Sequence, residues 1–194
     1  MSKVGEIASK LSSSYKNVTC TLKSASEDDT NRVHMVDFLY DVLDYDGIAK
    51  SHKLKKAYPY ILSSNDAVYI SNDGVPYFIE FKNGSVEKLD IQKKGIGSAI
   101  LAMDLGIVDS LKELQAKAVY ILVYNADVIE NKQSKSQKNI SNKIRRKAGR
   151  KEIRLKELDG VTWLYHATYS YRVSEFEEKF INAIVKPEYS AISS

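Results

Sequence analysis

Asp66, Glu80 and Lys82 are the residues of this 194-residue chain whose types and spacing could do chemistry. The run Val75–Lys82 alternates as a β-strand would. Val75, Tyr77, Ile79 and Phe81 share one face, and Phe78, Glu80 and Lys82 share the other. Glu80 and Lys82 then stand side by side, about 6.5–7 Å apart along the strand. Asp66 opens the β-forming run Ala67–Ile70, and Ser71-Asn72-Asp73-Gly74 reads as a hairpin turn. The hairpin folds Asp66 back beside Glu80 and Lys82. Two carboxylates and a lysine at a sheet end suit phosphodiester cleavage assisted by Mg²⁺ or Mn²⁺. Mg²⁺ takes hard oxygen ligands, keeps several waters and needs only one or two carboxylates. It polarises a phosphate and acidifies an attacking water, while a lysine can hold that water or stabilise developing charge.

Several elements must position these residues. Residues 3–16 carry Val4, Ile7, Ala8 and Leu11 at helical spacing, and 17–26 read as polar or as one edge strand. Val33, Val36, Leu39, Tyr40 and Leu43 predict a helix over 29–44, ended by Gly47 as a C-cap glycine. Residues 50–62 contain Pro59 and fit a first, irregular or edge strand. After the hairpin, 91–105 predict a helix weakened by Gly95 and Gly97, and 110–117 a turn or two more. Ala118–Tyr124 is continuously apolar, as in a strand covered on both faces. Residues 161–172 alternate, with Trp163, Tyr165, Ala167, Tyr169 and Tyr171 on one face. A final helix over 174–185 buries Phe176, Phe180, Ile181 and Ile184 and stops at Pro187. The order is helix, three strands, helix, strand, basic insertion, strand, helix. That order predicts an α/β fold with a central mixed sheet flanked by helices.

Length and composition narrow the function class. A chain of 21.9 kDa, 43% hydrophobic and 28% charged, predicts one globular domain over 1–194. The longest apolar run is seven residues, far short of the roughly 20 a membrane span needs. One cysteine, Cys20, excludes an internal disulfide and fits a cytoplasmic location. Between Lys132 and Lys156 there are eleven Lys/Arg and one acid, a block of +10, so a chain of net charge +4 carries −6 elsewhere. Such segregation points to a polyanion, nucleic acid first and DNA ahead of RNA. Lys143, Arg145, Arg146, Lys147, Arg150, Lys151 and Arg154 are the expected phosphate contacts.

Asp66, then Glu80-Phe81-Lys82, within the order helix–strand–strand–strand–helix–strand, resembles the core of the PD-(D/E)XK nuclease superfamily. The resemblance spans about residues 28–125, with the basic insertion at about 132–156 and a C-terminal strand and helix at 161–186. It implies a restriction-endonuclease-like αβββαβ core and a metal-dependent nuclease. Asp66 would be the motif aspartate, Glu80 the second metal ligand and Lys82 the motif lysine. Members often add an acid on the first helix, for which Asp37 is the candidate and Asp41 the rival. Many carry a Gln or Lys on the helix after the third strand, the region of Gln92, Lys93 and Lys94. Asn65 stands where the pattern often has Pro, and Gly95 and Gly97 have no counterpart in it.

Plainer readings exist for each feature. Glu80 and Lys82 could be a solvated pair of little energetic weight, and Asp37 and Asp41 a solvated helix face. His34, His52 and His166 read as packing or surface residues. The tyrosine stripe reads as core before it reads as a base-stacking platform. The leading expectation is a Mg²⁺-dependent nuclease. The alternative is a non-catalytic protein of the same fold that binds nucleic acid or a protein partner, and a homodimer stays open.

Overall fold

The computed structural model describes residues 2–28, 30–52, 62–125 and 156–192. Its centre is the hairpin that the sequence marks most strongly. Ala67–Ile70 (β5) and Pro76–Lys82 (β6) pair antiparallel, with Ala67 opposite Ile79 and Ile70 opposite Pro76. The Ser71 hydroxyl closes the turn by accepting from the Val75 amide at 3.0 Å, and Gly74 takes the left-handed φ of 82° that glycine tolerates. Around this hairpin the sheet runs β1-β4-β5-β6-β7-β8. Here β1 is Thr19–Thr21, β4 Asp41–Asp44, β7 Val119–Tyr124 and β8 Ala167–Arg172. From β1 through β4 and β5 to β6 each neighbouring pair is antiparallel, whereas β7 and β8 run parallel to β6. The molecule is therefore α/β with a six-stranded mixed sheet flanked by helices. All six residues of β7 are buried, as its unbroken apolar sequence requires for a strand covered on both faces.

The two faces are packed by different chemistry. One bears Val68, Phe78, Glu80 and Tyr120 and is covered by α4 (Lys88–Asp104). Two tyrosines tie that helix down: the Tyr45 hydroxyl donates to the Ser98 carbonyl at 2.9 Å, and that of Tyr165 to the Gly95 carbonyl at 2.8 Å. Phe78 meets both rings edge-on. The opposite face bears Tyr69, Tyr77 and Phe81, which pack on Phe176 and Phe180. Those two belong to the C-terminal helical run, which comes after α5 (Leu111–Lys117) in the chain and is made of α6 (Val173–Phe176), a π-helical stretch (Glu177–Val185) and α7 (Lys186–Ile192). Glu188 anchors the end of that run by accepting from the Tyr69 hydroxyl at 2.6 Å and the Asn72 amide at 3.0 Å.

Several expected boundaries are corrected. The helix expected over 29–44 is not formed by the described residues 30–44. Glu27–Asp28 (β2) pairs with Val33–His34 (β3), and an extended stretch leads into β4. The apolar residues there match helical spacing without sharing an environment. Val33 and Leu39 are 53% and 73% exposed, whereas Val36 and Leu43 are buried. Asp28 holds the turn by accepting from the Thr30 amide at 3.0 Å, a local bond that competes with a helix. Gly47 does not end a helix. It lies in the first turn of α3 (Tyr45–Ser51), where its amide donates to the capping Asp44 carboxylate at 2.9 Å.

Other differences are shorter. In the first segment α1 covers only Lys3–Leu11, and 17–26 hold the edge strand β1 and a short α2 (Leu22–Ala25). The strand expected over 50–62 falls mostly outside the described residues, Pro59 included, and among the described residues β4 is the strand that precedes the hairpin. In 161–172 only β8 is a strand. Val161–Leu164 form a turn after a 3₁₀ segment (Lys156–Gly160), so Trp163 is exposed while Tyr165 is buried. Pro187 does not stop the last helix. It lies inside the continuous helical run, directly after the π-helical stretch whose closing bond runs from the Lys186 amide to the Ile181 carbonyl.

Gly95 and Gly97 explain how α4 approaches the sheet. A Cβ on Gly97 would overlap the Ser63 carbonyl oxygen, and one on Gly95 would overlap the Val161 side chain. Backbone cannot give way as a flexible side chain can. Gly97→Ala should therefore destabilise the protein by about 1–3 kcal/mol despite alanine's better helix propensity. Urea unfolding of the variant checks this, and an unchanged or raised midpoint would contradict the close approach.

Candidate functional site

Asp66, Glu80 and Lys82 come together where β5 begins and β6 ends. Asp66 precedes β5, and its Oδ2 accepts from the Phe81 amide at 2.6 Å, which locks the carboxylate against β6. Glu80 and Lys82 share a face as the alternation requires, with Lys82 Nζ 3.2 Å from Glu80 Oε1. Lys82 also donates to Asp90 Oδ2 at 2.5 Å, reaching the first turn of α4.

Lys94 completes the cluster. Its ammonium lies between the two carboxylates, 2.7 Å from Glu80 Oε1 and 3.3 Å from Asp66 Oδ1. Gln92 and Lys93 do not reach them. Gln92 lies against Gly160, where a Cβ would overlap its side chain. Lys93 lines an open cleft of about 400 Å³ with Lys82, Ser85, Glu87, Leu89 and Asp90. Helix phase separates these neighbours. Lys94 falls with Ile91, Ser98 and Leu101 on the face toward the sheet, and Lys93 falls outside it. That phase was present in the sequence as the buried pattern around Lys94.

Asn65 is a second group that motif reasoning undervalued. It is fully buried, and its backbone N–H donates to Ser98 Oγ at 2.8 Å while Ser98 Oγ donates to Asn65 Oδ1 at 2.6 Å. This reciprocal pair fastens the residue before Asp66 to the middle of α4. Asp37 stands elsewhere: it is highly exposed and pairs with Lys23 at 2.7 Å. Asp41 opens β4 at the end opposite Thr21, whereas Asp44 is the β4 residue beside the start of β5. The Asp44 carboxylate is engaged in capping α3. Lys143, Arg145, Arg146, Lys147, Arg150, Lys151 and Arg154 lie outside the described residues.

The electrostatics follow from burial. Glu80 is 0% exposed, and burial, reinforced by the Asp66 charge and opposed by Lys94 and Lys82, pushes its pKa up to about 8. Asp66 keeps about a quarter of its side chain accessible and is also raised, by burial against the pull of Lys94 and the Phe81 amide. Burial alone would lower Lys94, but Asp66 and Glu80 outweigh it and raise the lysine. Lys82 is likewise raised by Glu80 and Asp90 against burial.

Asp66 and Glu80 are hard oxygen donors of the kind a divalent ion takes, and in this structure the Lys94 ammonium holds the space between them. Glu80 Oε2 is buried with no hydrogen-bond partner among the described residues. No group of three or more His, Cys, Asp or Glu side chains converges among the described residues. Two carboxylates nonetheless suffice for an ion that keeps its waters.

The raised carboxylates have a pH signature. Glu80 binds its proton more tightly folded than unfolded, so its contribution to stability is complete below about pH 4.5 and is lost as pH rises through about 8. The raised lysines act only above their unfolded value of 10.5, outside this window. Without metal, Glu80→Gln should gain stability relative to wild type as pH rises across that window, then level off. Urea unfolding in chelator at acid and mildly alkaline pH reads this, and a difference independent of pH would contradict it. No helix among the described residues is long and apolar enough to cross a membrane. The chain matches no family model, no curated protein and no solved structure.

Proposed function

We propose that this protein is a Mg²⁺- or Mn²⁺-dependent nuclease of the PD-(D/E)XK kind, hydrolysing phosphodiester bonds in nucleic acid, DNA ahead of RNA. The observation that carries the reading is the meeting of Asp66, Glu80, Lys82 and Lys94 within hydrogen-bond reach at one sheet end. Three antiparallel strands, the helix α4 and then the parallel strand β7 support it as an element order. So does the +10 block between Lys132 and Lys156.

In this reading Asp66 and Glu80 hold the ion, which when bound supplies a polarised phosphate and an acidified water. The Phe81 amide fixes Asp66 and burial confines Glu80, so loading the ion would chiefly require the Lys94 ammonium to shift from between them. Lys82, a fifth of whose side chain is exposed beside the open cleft, holds the water or the phosphate oxygen on which charge develops. Lys94 offsets the mutual repulsion of the two acids. One feature favours a second, non-catalytic reading: the lysines already neutralise the carboxylates in a closed ion-pair network.

Cleavage of single- and double-stranded DNA and RNA, with Mg²⁺, Mn²⁺ or chelator, tests the proposal. Cutting should require metal, and Asp66→Asn, Glu80→Gln and Lys82→Ala should each lower the rate by about 10²–10³-fold with unchanged circular dichroism. Variants that cut like wild type would remove these residues from the mechanism. Salt-sensitive retention of a polymer without cutting would establish the binding-only reading.

A further inference from the structure

Each carboxylate at the site turns one oxygen to Lys94 and keeps the other engaged or enclosed. Asp66 Oδ2 accepts from the Phe81 amide, which leaves Oδ1 to face the lysine. Glu80 Oε2 is buried, which leaves Oε1 as the oxygen turned to Lys82 and Lys94. Lys94 Nζ stands 3.3 Å from Asp66 Oδ1 and 2.7 Å from Glu80 Oε1. The two oxygens left for an incoming cation are therefore the pair that this ammonium already holds.

We infer that Lys94 is a placeholder cation, which holds the carboxylate pair while no divalent ion is bound and gives way when one binds. The inference rests on the reading of Asp66 and Glu80 as ion ligands. An ammonium and a hard divalent ion compete here because both are compact charges that take carboxylate oxygen. The helix under the lysine is held on the sheet. The Tyr165 hydroxyl bonds the Gly95 carbonyl, Gly97 lies against the Ser63 backbone, and Ser98 is paired with Asn65. The part that yields is therefore the flexible lysine stem. The way out lies past Asp66. About a quarter of the Asp66 side chain and a fifth of Lys94 are in solvent, whereas Glu80 has no exposure. Two effects of opposite sign follow. In the metal-free protein Lys94 offsets the repulsion and the burial of the two acids. When the ion binds, displacing the ammonium weakens its affinity. Lys93, one residue earlier, lines the open cleft instead and should show neither effect.

Calorimetric titration of the full chain with Mn²⁺, joined to urea unfolding in chelator and in Mn²⁺, tests this. Lys94→Met should bind Mn²⁺ about 10-fold or more tightly than wild type does. Its urea midpoint should fall below that of wild type in chelator and recover in Mn²⁺. Lys93→Met should leave both quantities close to wild type. Lys94→Gln, neutral but still able to donate to Glu80, is the second variant should methionine fail to fold. Mn²⁺ affinity unchanged or weakened in the Lys94 variants would overturn the inference. Equal tightening by Lys93→Met would overturn it too, because the effect would then be one of net charge rather than of occupancy. Tight Mn²⁺ binding by Lys94→Met with no cleavage by wild type would keep the placeholder and remove the nuclease reading. Metal-dependent cleavage by wild type with no gain of affinity in Lys94→Met would do the reverse.

Discussion

A carboxylate with no access to water is the constraint around which the site end of this fold is arranged. Glu80 projects from near the end of β6, an interior strand of the sheet, and the cost of burying its charge is far larger than any single contact could offset without a counter-charge. Lys94 supplies that charge from the facing helix, and Lys82 adds a second from the same strand. A lysine can reach Glu80 only if α4 lies close on the sheet. Gly97 lets the helix meet the Ser63 backbone, and Gly95 lets it meet Val161. The Asn65–Ser98 pair and the Tyr45 and Tyr165 hydroxyls hold it at that distance.

The two faces of the sheet divide the work accordingly. On the α4 side, aromatic packing is interleaved with directed hydrogen bonds, which demand a set distance and angle. On the other side, Tyr69, Tyr77 and Phe81 meet Phe176 and Phe180 through ring contacts, which supply burial with less directional demand. A helical run with a π-helical stretch and a proline is tolerated there, because it needs to cover area rather than to deliver one functional atom. Glu188 adds a directed tie where the run ends. Directed contacts are thus concentrated where charges converge.

The legibility of the fold divides along the same physical line. The Asp73-Gly74 hairpin, the all-apolar β7 and the shared face of Glu80 and Lys82 rest on local chemistry, and each was readable from spacing. Residues 29–44 were misread because Val33, Val36, Leu39 and Leu43 match a helical period although their environments differ. What placed them was pairing with β1 and β5, which the segment itself does not encode. Gly47 misled for a similar reason, since a glycine beside an acid can open a helix or close one. Asp37 failed to join the site as a consequence of the same misreading.

By itself the sequence determined the periodic elements, the charge segregation and the juxtaposition of Asp66, Glu80 and Lys82. These follow from a two-residue alternation and a tight turn, which act over a few residues. Only the tertiary structure decided that Lys94 rather than Lys93 or Gln92 stands between the carboxylates, that Asn65 is an anchor, and that Gly95 and Gly97 are required. Each of those depends on how closely one helix lies over a sheet. That distance is set by contacts between segments up to about 70 residues apart in sequence, such as Gly95 with Tyr165.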